Sequence, residues 1–238
     1  MFIDANIGEK FVRFSIENCL IICHGLPFEP GSVIDKSYYE LANFFSKSYP
    51  TLIFDFSGTG KSGGKFSLKT WVEDLREVAE KFGEVSIIGY SMGGSVAIRA
   101  SAELENVSKL VVVSSPCSSD IFTEESLRII YQNAKSKGVL RGIGDFSFFY
   151  RSFLREFDEI EPLKWIGDVK IPKLIVHGTE DQIVPFHHFE RLFKTAVDPK
   201  MYLKVIGGDH FLRRNLKVQG MILSWLKGEM KESTEISL

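Results

Sequence analysis

The chain has 238 residues, of which 44% are hydrophobic and 25% charged, and its formal net charge is −2. This size and balance suit one globular domain with a sizeable core, and the lack of a basic patch argues against nucleic acid as a partner. The longest apolar runs have the length of strands, well short of the roughly 20 residues that span a bilayer, so no membrane span is expected. The first ten residues lack the pattern of a secretory signal, which favours a cytoplasmic location.

Short apolar runs recur along the chain and are mostly continuous, which is typical of strands buried on both faces of a parallel sheet. These runs are Phe11–Ile16, Cys19–Cys23, Thr51–Phe56, Val85–Ile88, Lys109–Ser114, Lys173–Val176 and Met201–Ile206. Helical spacing of apolar residues occurs over Tyr38–Lys47, Leu68–Lys81, Met92–Glu103, Phe186–Ala196 and Leu212–Leu226. The alternation predicts a doubly wound α/β domain with a mostly parallel sheet. The first strands have no helix between them and are expected to form an antiparallel edge.

The segment between Ser114 and Lys173 contains no strand candidate and breaks this alternation. It is rich in aromatic residues, and two helices are predicted in it, Thr123–Lys137 and Phe146–Phe157. We expect residues 118–170 to form a small helical cap inserted after the sixth strand, with its rings lining part of an apolar pocket. Residues 1–117 and 171–228 would then form the core, and the polar residues 229–238 a flexible tail.

A glycine-rich stretch, FDFSGTGKSGG at residues 54–64, contains the Gly-Lys-Ser that closes a phosphate-binding loop. The complete motif also requires a glycine five residues before Gly60, where this sequence has Asp55. A carboxylate at that place would repel phosphate. Nucleotide binding is therefore not expected.

The strongest chemical signal is the G-x-S-x-G motif of residues 89–93, which lies between a predicted buried strand and a predicted helix. In this setting the serine occupies a tight turn that projects its hydroxyl above the sheet, and side chains at Gly89 or Gly93 would clash with neighbouring backbone. The N-terminal N–H groups of the helix face negative charge on a substrate. Ser91 is therefore predicted to be a nucleophile.

A serine nucleophile needs a base and a group that orients the base, in the chain order Ser, then Asp or Glu, then His. His210, on a glycine loop after the last strand, is the predicted base, whereas His177 is expected to make a structural hydrogen bond. Asp181 is the first choice for the acid, and Glu180 is its close rival.

No metal site is predicted. Cys19, Cys23 and Cys117 lack metal-ligand spacing and are expected to be buried free thiols. His187 and His188 follow a proline at a helix start and are interpreted as surface or pocket-rim residues, with metal binding as the minor alternative.

Five motifs, CHGLP, FDFSGTGKS, GYSMGG, VHGTEDQIVP and GGDHFL, occur in this order. On these motifs the chain resembles the α/β-hydrolases of the carboxylesterase and monoacylglycerol-lipase-like branch. The resemblance extends from about residue 10 to residue 227. The resemblance implies Asp181 rather than Glu180 as the acid, and an oxyanion hole made by the backbone N–H groups of Leu26 and Met92. It also implies that residues 55–62 form a structural loop, with Ser57 where the family usually has arginine.

Motifs and resemblance together predict a serine hydrolase that cleaves carboxylic esters through an acyl-enzyme, with no cofactor or metal. The expected partner is a small-molecule ester with a small-to-medium apolar or aromatic acyl group, bound near Tyr90, Phe28 and Val184. Thioesterase, peptidase and carbon–carbon hydrolase activities use the same three residues and stay open, as does a non-catalytic hydrolase-fold binder. Serine at position 91 disfavours dehalogenases and epoxide hydrolases, whose nucleophile is aspartate. A homodimer is also left open.

Overall fold

The computed structural model describes residues 3–7, 10–14, 19–35 and 37–238, and within them nine strands form one sheet. The strands are β1 (Ile3–Ile7), β2 (Lys10–Phe14), β3 (Leu20–Cys23), β4 (Thr51–Phe54), β5 (Val85–Tyr90), β6 (Val107–Val113), β7 (Lys173–Gly178), β8 (Lys200–Ile206) and β9 (Thr234–Ser237). Their order across the sheet is β1-β2-β4-β3-β5-β6-β7-β8-β9. The pairs β1–β2 and β2–β4 are antiparallel, and the other neighbouring pairs are parallel. The predicted mostly parallel sheet with an antiparallel edge is confirmed.

Eight α-helices occur in the described ranges and flank this sheet. They are α1 (Ser37–Ser46), α2 (Leu68–Ala79), α3 (Met92–Ser101), α4 (Glu124–Lys137), α5 (Phe146–Ile160), α6 (Pro162–Trp165), α7 (His187–Thr195) and α8 (Leu216–Leu226). The predicted helix Leu212–Leu226 begins later than expected, because the Asn215 side chain accepts hydrogen bonds from the N–H groups of Lys217 and Val218 and caps α8. Residues 212–214 form a separate 3-10 turn instead. None of the helices described here is both long and apolar enough to cross a membrane.

The core lies on both faces of the sheet. Alternate residues of β3 point to opposite faces, so Ile21 joins a cluster with Trp71 of α2, whereas Ile22 joins a cluster with Phe45 of α1 and with Trp225. All four residues of β3 are buried, as expected for a strand covered on both sides by helices. Each fully buried large apolar side chain contributes about 1.5–3 kcal/mol to folding. The three cysteines are buried free thiols, as predicted.

The aromatic segment after β6 contains α4, α5 and α6 and packs on α2 and α3. Its rings contact one another: the Phe122 ring centroid lies 4.9 Å from that of Phe153 and 4.7 Å from that of Phe157. Phe66, just before α2, stacks on Phe153 at 6.4 Å and meets Trp71 edge-on at 5.4 Å. Most of these rings therefore serve as core that fixes the segment to the sheet.

The prediction of a flexible tail over residues 229–238 is wrong. Thr234–Ser237 forms β9, which pairs in parallel with β8 from Leu203 to Ile206. The sequence is polar because only one face of this edge strand is half-buried, so its apolar content is low. Backbone pairing and the buried side chain of Met230 hold the segment in place. At the other edge, β1 was not predicted, and the predicted strand Phe11–Ile16 overlaps β2, with residues 15 and 16 outside the described part.

Candidate active site

Ser91 lies between the end of β5 and the start of α3 in a strained backbone conformation, with φ 52° and ψ −125°. Positive φ is uncommon for residues other than glycine and is often maintained at functional sites. The N–H of Ser91 donates to the carbonyl of Val113 at 2.9 Å, which anchors the turn. A Cβ at Gly89 would lie 2.5 Å from the Gly93 oxygen, and one at Gly93 would lie 2.5 Å from the His24 oxygen. Both glycines are thus required, as the motif predicts.

A chain of hydrogen bonds links Ser91 to two residues that come from distant parts of the sequence. The Nε2 atom of His210 lies 3.1 Å from the Ser91 Oγ, and its Nδ1 atom lies 2.8 Å from the Asp181 Oδ2. Because a carboxylate can only accept, Nδ1 carries the proton and Nε2 is free to accept from the serine hydroxyl. The structure therefore brings the three predicted catalytic residues together. Glu180, the rival acid, is exposed and makes no such contact among the described residues.

Asp181 is buried and held by several donors. Its Oδ1 accepts from the N–H groups of Ile183 at 2.9 Å and Val184 at 2.8 Å, and the His177 Nε2 lies 3.4 Å from Oδ2. Burial alone would raise the pKa of this carboxyl, but the hydrogen bonds from His177, His210 and Val184 outweigh it and hold the pKa well below its usual range. Asp181 thus stays ionised, and His177 has the structural role expected of it.

The loop after β3 packs directly on the nucleophile turn. His24 is buried, and its Nε2 accepts from the N–H of Phe56 at 3.1 Å. A Cβ at Gly25 would lie 2.8 Å from the Ser91 Cβ. The next residue, Leu26, lines the cavity into which Ser91 opens. The N–H groups of Leu26 and Met92 donate to no acceptor in the described residues. Leu26 lines the cavity of Ser91, whereas Met92 is buried and is not among the lining residues, so the oxyanion hole of these two N–H groups stays a prediction.

Ser91 and His210 open into a cavity of about 260 Å³. Its walls come from residues 24–33, from the end of β5 and from residues 210–214. Phe28 and Tyr90 line it, as predicted; Phe28 is partly exposed, and the buried Tyr90 hydroxyl donates to Gln219 at 2.7 Å. Phe28 also receives, at its carbonyl, a 2.8 Å hydrogen bond from Lys137 at the end of α4.

Two expectations about this pocket are wrong. Val184 is not in the cavity wall; it is buried in the acid loop and uses its N–H on Asp181. The rings of residues 118–170 do not line the cavity either, because most of them pack inward on α2 and on one another, and Phe148 is exposed. Conversely, sequence reasoning overlooked Arg213 and Arg214, which do line it. The run HFLRR directly after the predicted base was the available signal.

Residues 20–215 match the alpha/beta hydrolase family. The chain belongs to this family. It is 26% identical to YqkD of Bacillus subtilis (strain 168) over 96% of this chain and 77% of that protein. Its fold is similar to that of the Pyrococcus furiosus esterase Pf2001, with a TM-score of 0.72, 20% identity and coverage of 96% of this chain and 92% of the other. It is also similar to the Paleococcus ferrophilus monoacylglycerol lipase, with a TM-score of 0.71, 20% identity and coverage of 97% and 100%.

The glycine-rich loop of this hydrolase has a carboxylate at its centre. Asp55 accepts from the N–H groups of Val33 at 2.9 Å and Lys61 at 2.8 Å. A Cβ at Gly60 would lie only 2.2 Å from the Asp55 carboxylate, so the two residues are closely packed. The position that a phosphate would occupy in a nucleotide-binding loop is therefore filled by an aspartate.

An arginine from the inserted segment also binds this loop. At the place where the family usually has arginine, Ser57 donates its N–H and its hydroxyl to the buried Asp74, at 2.6 and 3.0 Å. Arg141, between α4 and α5, donates to the carbonyl of Gly60 at 3.0 Å and to that of Thr59 at 2.9 Å. The inserted segment thereby ties down the loop beside His24.

A second polar group lies away from the cavity, where Asp120 meets His187 and His188. The His187 Nε2 lies 3.6 Å and the His188 Nε2 3.4 Å from the Asp120 carboxylate. His188 is buried, which lowers its pKa to about 4, and its Nδ1 accepts from the N–H of Cys117 at 3.2 Å. Arg191 donates to Asp120 at 2.8 Å, and its charge there opposes a bound cation. The group therefore joins the inserted segment to α7 through the ion pair of Asp120 with Arg191, beside a neutral His188.

Proposed function

We propose that this chain is a serine hydrolase that cleaves carboxylic esters through an acyl-enzyme intermediate. The observation that carries the proposal is the hydrogen-bonded chain from Ser91 through His210 to the ionised Asp181, at the wall of a cavity. This is the arrangement of nucleophile, base and orienting acid that acyl transfer requires. Family membership and the fold support hydrolase chemistry.

In the first half of the reaction, the Ser91 oxygen attacks the carbonyl carbon while the His210 Nε2 takes the hydroxyl proton. The imidazolium that forms is stabilised by Asp181, whose charge is retained because its pKa is low. The carbonyl oxygen becomes an oxyanion, which the N–H groups of Leu26 and Met92 bind. His210 then gives the proton to the leaving alcohol, and an acyl group remains on Ser91.

In the second half, a water molecule takes the place of the alcohol. His210 removes a proton from the water, the hydroxide attacks the acyl carbon, and the same N–H groups bind the second oxyanion. The Ser91 oxygen leaves and recovers its proton from His210, and the carboxylic acid is released. Serine, histidine and aspartate return to their starting states, so the cycle consumes no group of the protein.

The cavity supports a small acyl or alcohol group. Its volume of about 260 Å³ lies just below the range of roughly 300–1,000 Å³ found for small-molecule sites. Aromatic side chains from residues 118–170 do not contribute to it; its aromatic lining comes from Phe28, Tyr38, Tyr90 and Phe211. We therefore propose esters of short acids as the first substrates to test.

The decisive experiment is hydrolysis of p-nitrophenyl esters from acetate to palmitate, plus a cinnamate ester, by the parent protein and by Ser91→Ala. Turnover that is lost in Ser91→Ala supports the proposal. The acyl-chain length that gives the fastest turnover indicates the size of the acyl pocket. Ser136→Ala is the matched control, because Ser136 is exposed on α4. Absence of turnover on every ester, or equal turnover by Ser91→Ala and the parent, would overturn the proposal.

Thioester, peptide and carbon–carbon bonds can be cleaved by the same three residues, and a non-catalytic binder can keep them too. A fluorophosphonate probe separates these cases. A hydrolase of any kind should be labelled at Ser91 and turn over at least one substrate class. A binder should give negligible turnover on every class even where the serine is labelled.

A further inference from the structure

Two arginines that the proposed mechanism does not use lie in the wall of the Ser91 cavity. Arg213 and Arg214 follow His210 on the 3-10 turn of residues 212–214. The side chain of Asn215 caps the N-terminus of α8, so the helix begins after these two residues and they belong to the turn. The base and the two guanidinium groups are therefore placed by one short segment.

Arg213 has no carboxylate partner among the described residues. Its contacts are with rings: the guanidinium carbon lies 5.5 Å from the centroid of Tyr38 and 5.3 Å from that of Phe211. Its Nε atom is buried and has no hydrogen-bond partner in the described structure. A buried donor without a partner is destabilising, and a guanidinium offers a planar fork that matches a carboxylate. Arg213 thus places a cation in the wall of the cavity, without a carboxylate partner among the described residues.

The charges in the cavity wall are unequal. Arg213 and Arg214 are positive, and Glu29, which is exposed, is the one acidic residue among the described lining residues. The ionised Asp181 lies behind His210. The positive charge is therefore concentrated on the Arg213 and Arg214 side of the wall, where it would attract an anion. An entirely apolar ester would leave the positive charge of Arg213 without a counter-charge in the cavity.

We propose that the substrate carries an anionic group, most simply a carboxylate, which Arg213 binds while Ser91 attacks the ester. Arg214 adds positive charge at the more exposed side of the same wall. This inference rests on the proposed ester hydrolysis and narrows its substrate to monoesters of short diacids or to esters of short hydroxy-acids. The carboxylate can lie on the acyl half or on the alcohol half of the ester. In both cases it would pair with Arg213.

The test compares kcat/KM for four esters, each divided by its rate of hydrolysis without enzyme. Phenyl butanoate is neutral, monophenyl glutarate carries an acyl-side carboxylate, and 3-carboxyphenyl butanoate carries an alcohol-side carboxylate, with 3-carbamoylphenyl butanoate as its neutral match. We expect one anionic ester to exceed its neutral match by about tenfold or more, as is typical of a charge-assisted hydrogen bond. Arg213→Gln should remove this preference mainly through KM, and salt should weaken it.

Arg151→Gln is the control, since Arg151 is exposed on α5 and outside the cavity; it should keep the preference. If circular dichroism shows that Arg213→Gln does not fold, Arg213→Lys takes its place. Lysine keeps the charge but cannot make the two parallel hydrogen bonds of a guanidinium, so it should retain only part of the preference for the anionic ester. Turnover of the neutral esters that needs Ser91, with no preference for either anionic ester, would overturn this inference and leave the proposed function intact.

If no ester is hydrolysed, the proposed function fails. Calorimetric titration with glutarate then tests, independently of catalysis, whether the cavity binds an anion. Saturable binding that is lost in Arg213→Gln and kept in Arg151→Gln would support the site. Absence of binding to the parent protein would overturn it, and Arg213 would then serve only to contact Tyr38 and Phe211.

Discussion

Gly25 lies so close to Ser91 that a Cβ on it would stand 2.8 Å from the Ser91 Cβ, a separation that real side chains do not adopt. We expect Gly25→Ala to push the nucleophile or the Leu26 N–H out of place and to lower kcat by about 100-fold, since small misplacements in an active site have effects of this size. The measurement is steady-state hydrolysis of a short p-nitrophenyl ester.

Gly83→Ala is the matched control for that change, because nothing lies within 4 Å of a Cβ built at Gly83. It should leave kcat within about twofold of the parent, as surface changes usually do. If Gly25→Ala kept full activity while remaining folded, the loop after β3 would not be part of the catalytic site.

The hydrogen bond from His210 to Asp181 predicts a large kinetic effect for Asp181→Asn. An amide in place of the carboxylate can donate to Nδ1 and thereby favour the wrong tautomer of His210, so kcat should fall by about 10⁴-fold with little change in KM. Stopped assays with high enzyme concentration can measure the residual rate. Equal loss in Glu180→Gln, whose side chain is exposed, would contradict the assignment of Asp181 as the acid.

The sequence predicted the parts of this molecule that depend on local constraints. Ser91 was identified because its strained turn requires glycines at positions 89 and 93. His210 followed from the order that such a fold imposes on its chain, and the family resemblance was needed to choose Asp181 over Glu180. β9 was missed because a half-exposed edge strand has little apolar pattern. The pocket was misjudged because packing between helices decides whether rings such as Phe153 face a cavity or the core. Arg213 was overlooked because the sequence placed it inside a helix, whereas Asn215 caps α8 after it.

The low pKa of Asp181 predicts a pH-dependent stability. Since the pKa is lower in the folded protein than its ordinary value of 3.8, the unfolded chain binds the proton more readily. The stabilisation is fully present above the ordinary value and is lost as the pH falls through the lower, folded value. Thermal unfolding from pH 6 to pH 3 should therefore show a difference between the parent and Asp181→Asn that shrinks in acid. Asp158→Asn, at an exposed site, should show no comparable trend.

Arg141 is expected to stabilise the loop beside His24 from a distance of more than 80 residues in sequence. Arg141→Gln removes hydrogen bonds to the carbonyls of Thr59 and Gly60, and because these groups are partly buried, it should lower the free energy of unfolding by about 1–3 kcal/mol. Urea denaturation can measure this change, with Arg151→Gln on the exposed face of α5 as the control. Equal stability of the two variants would mean that water replaces the guanidinium at these carbonyls without loss, and that the bonds of Asp55 and of the backbone are enough to hold the loop.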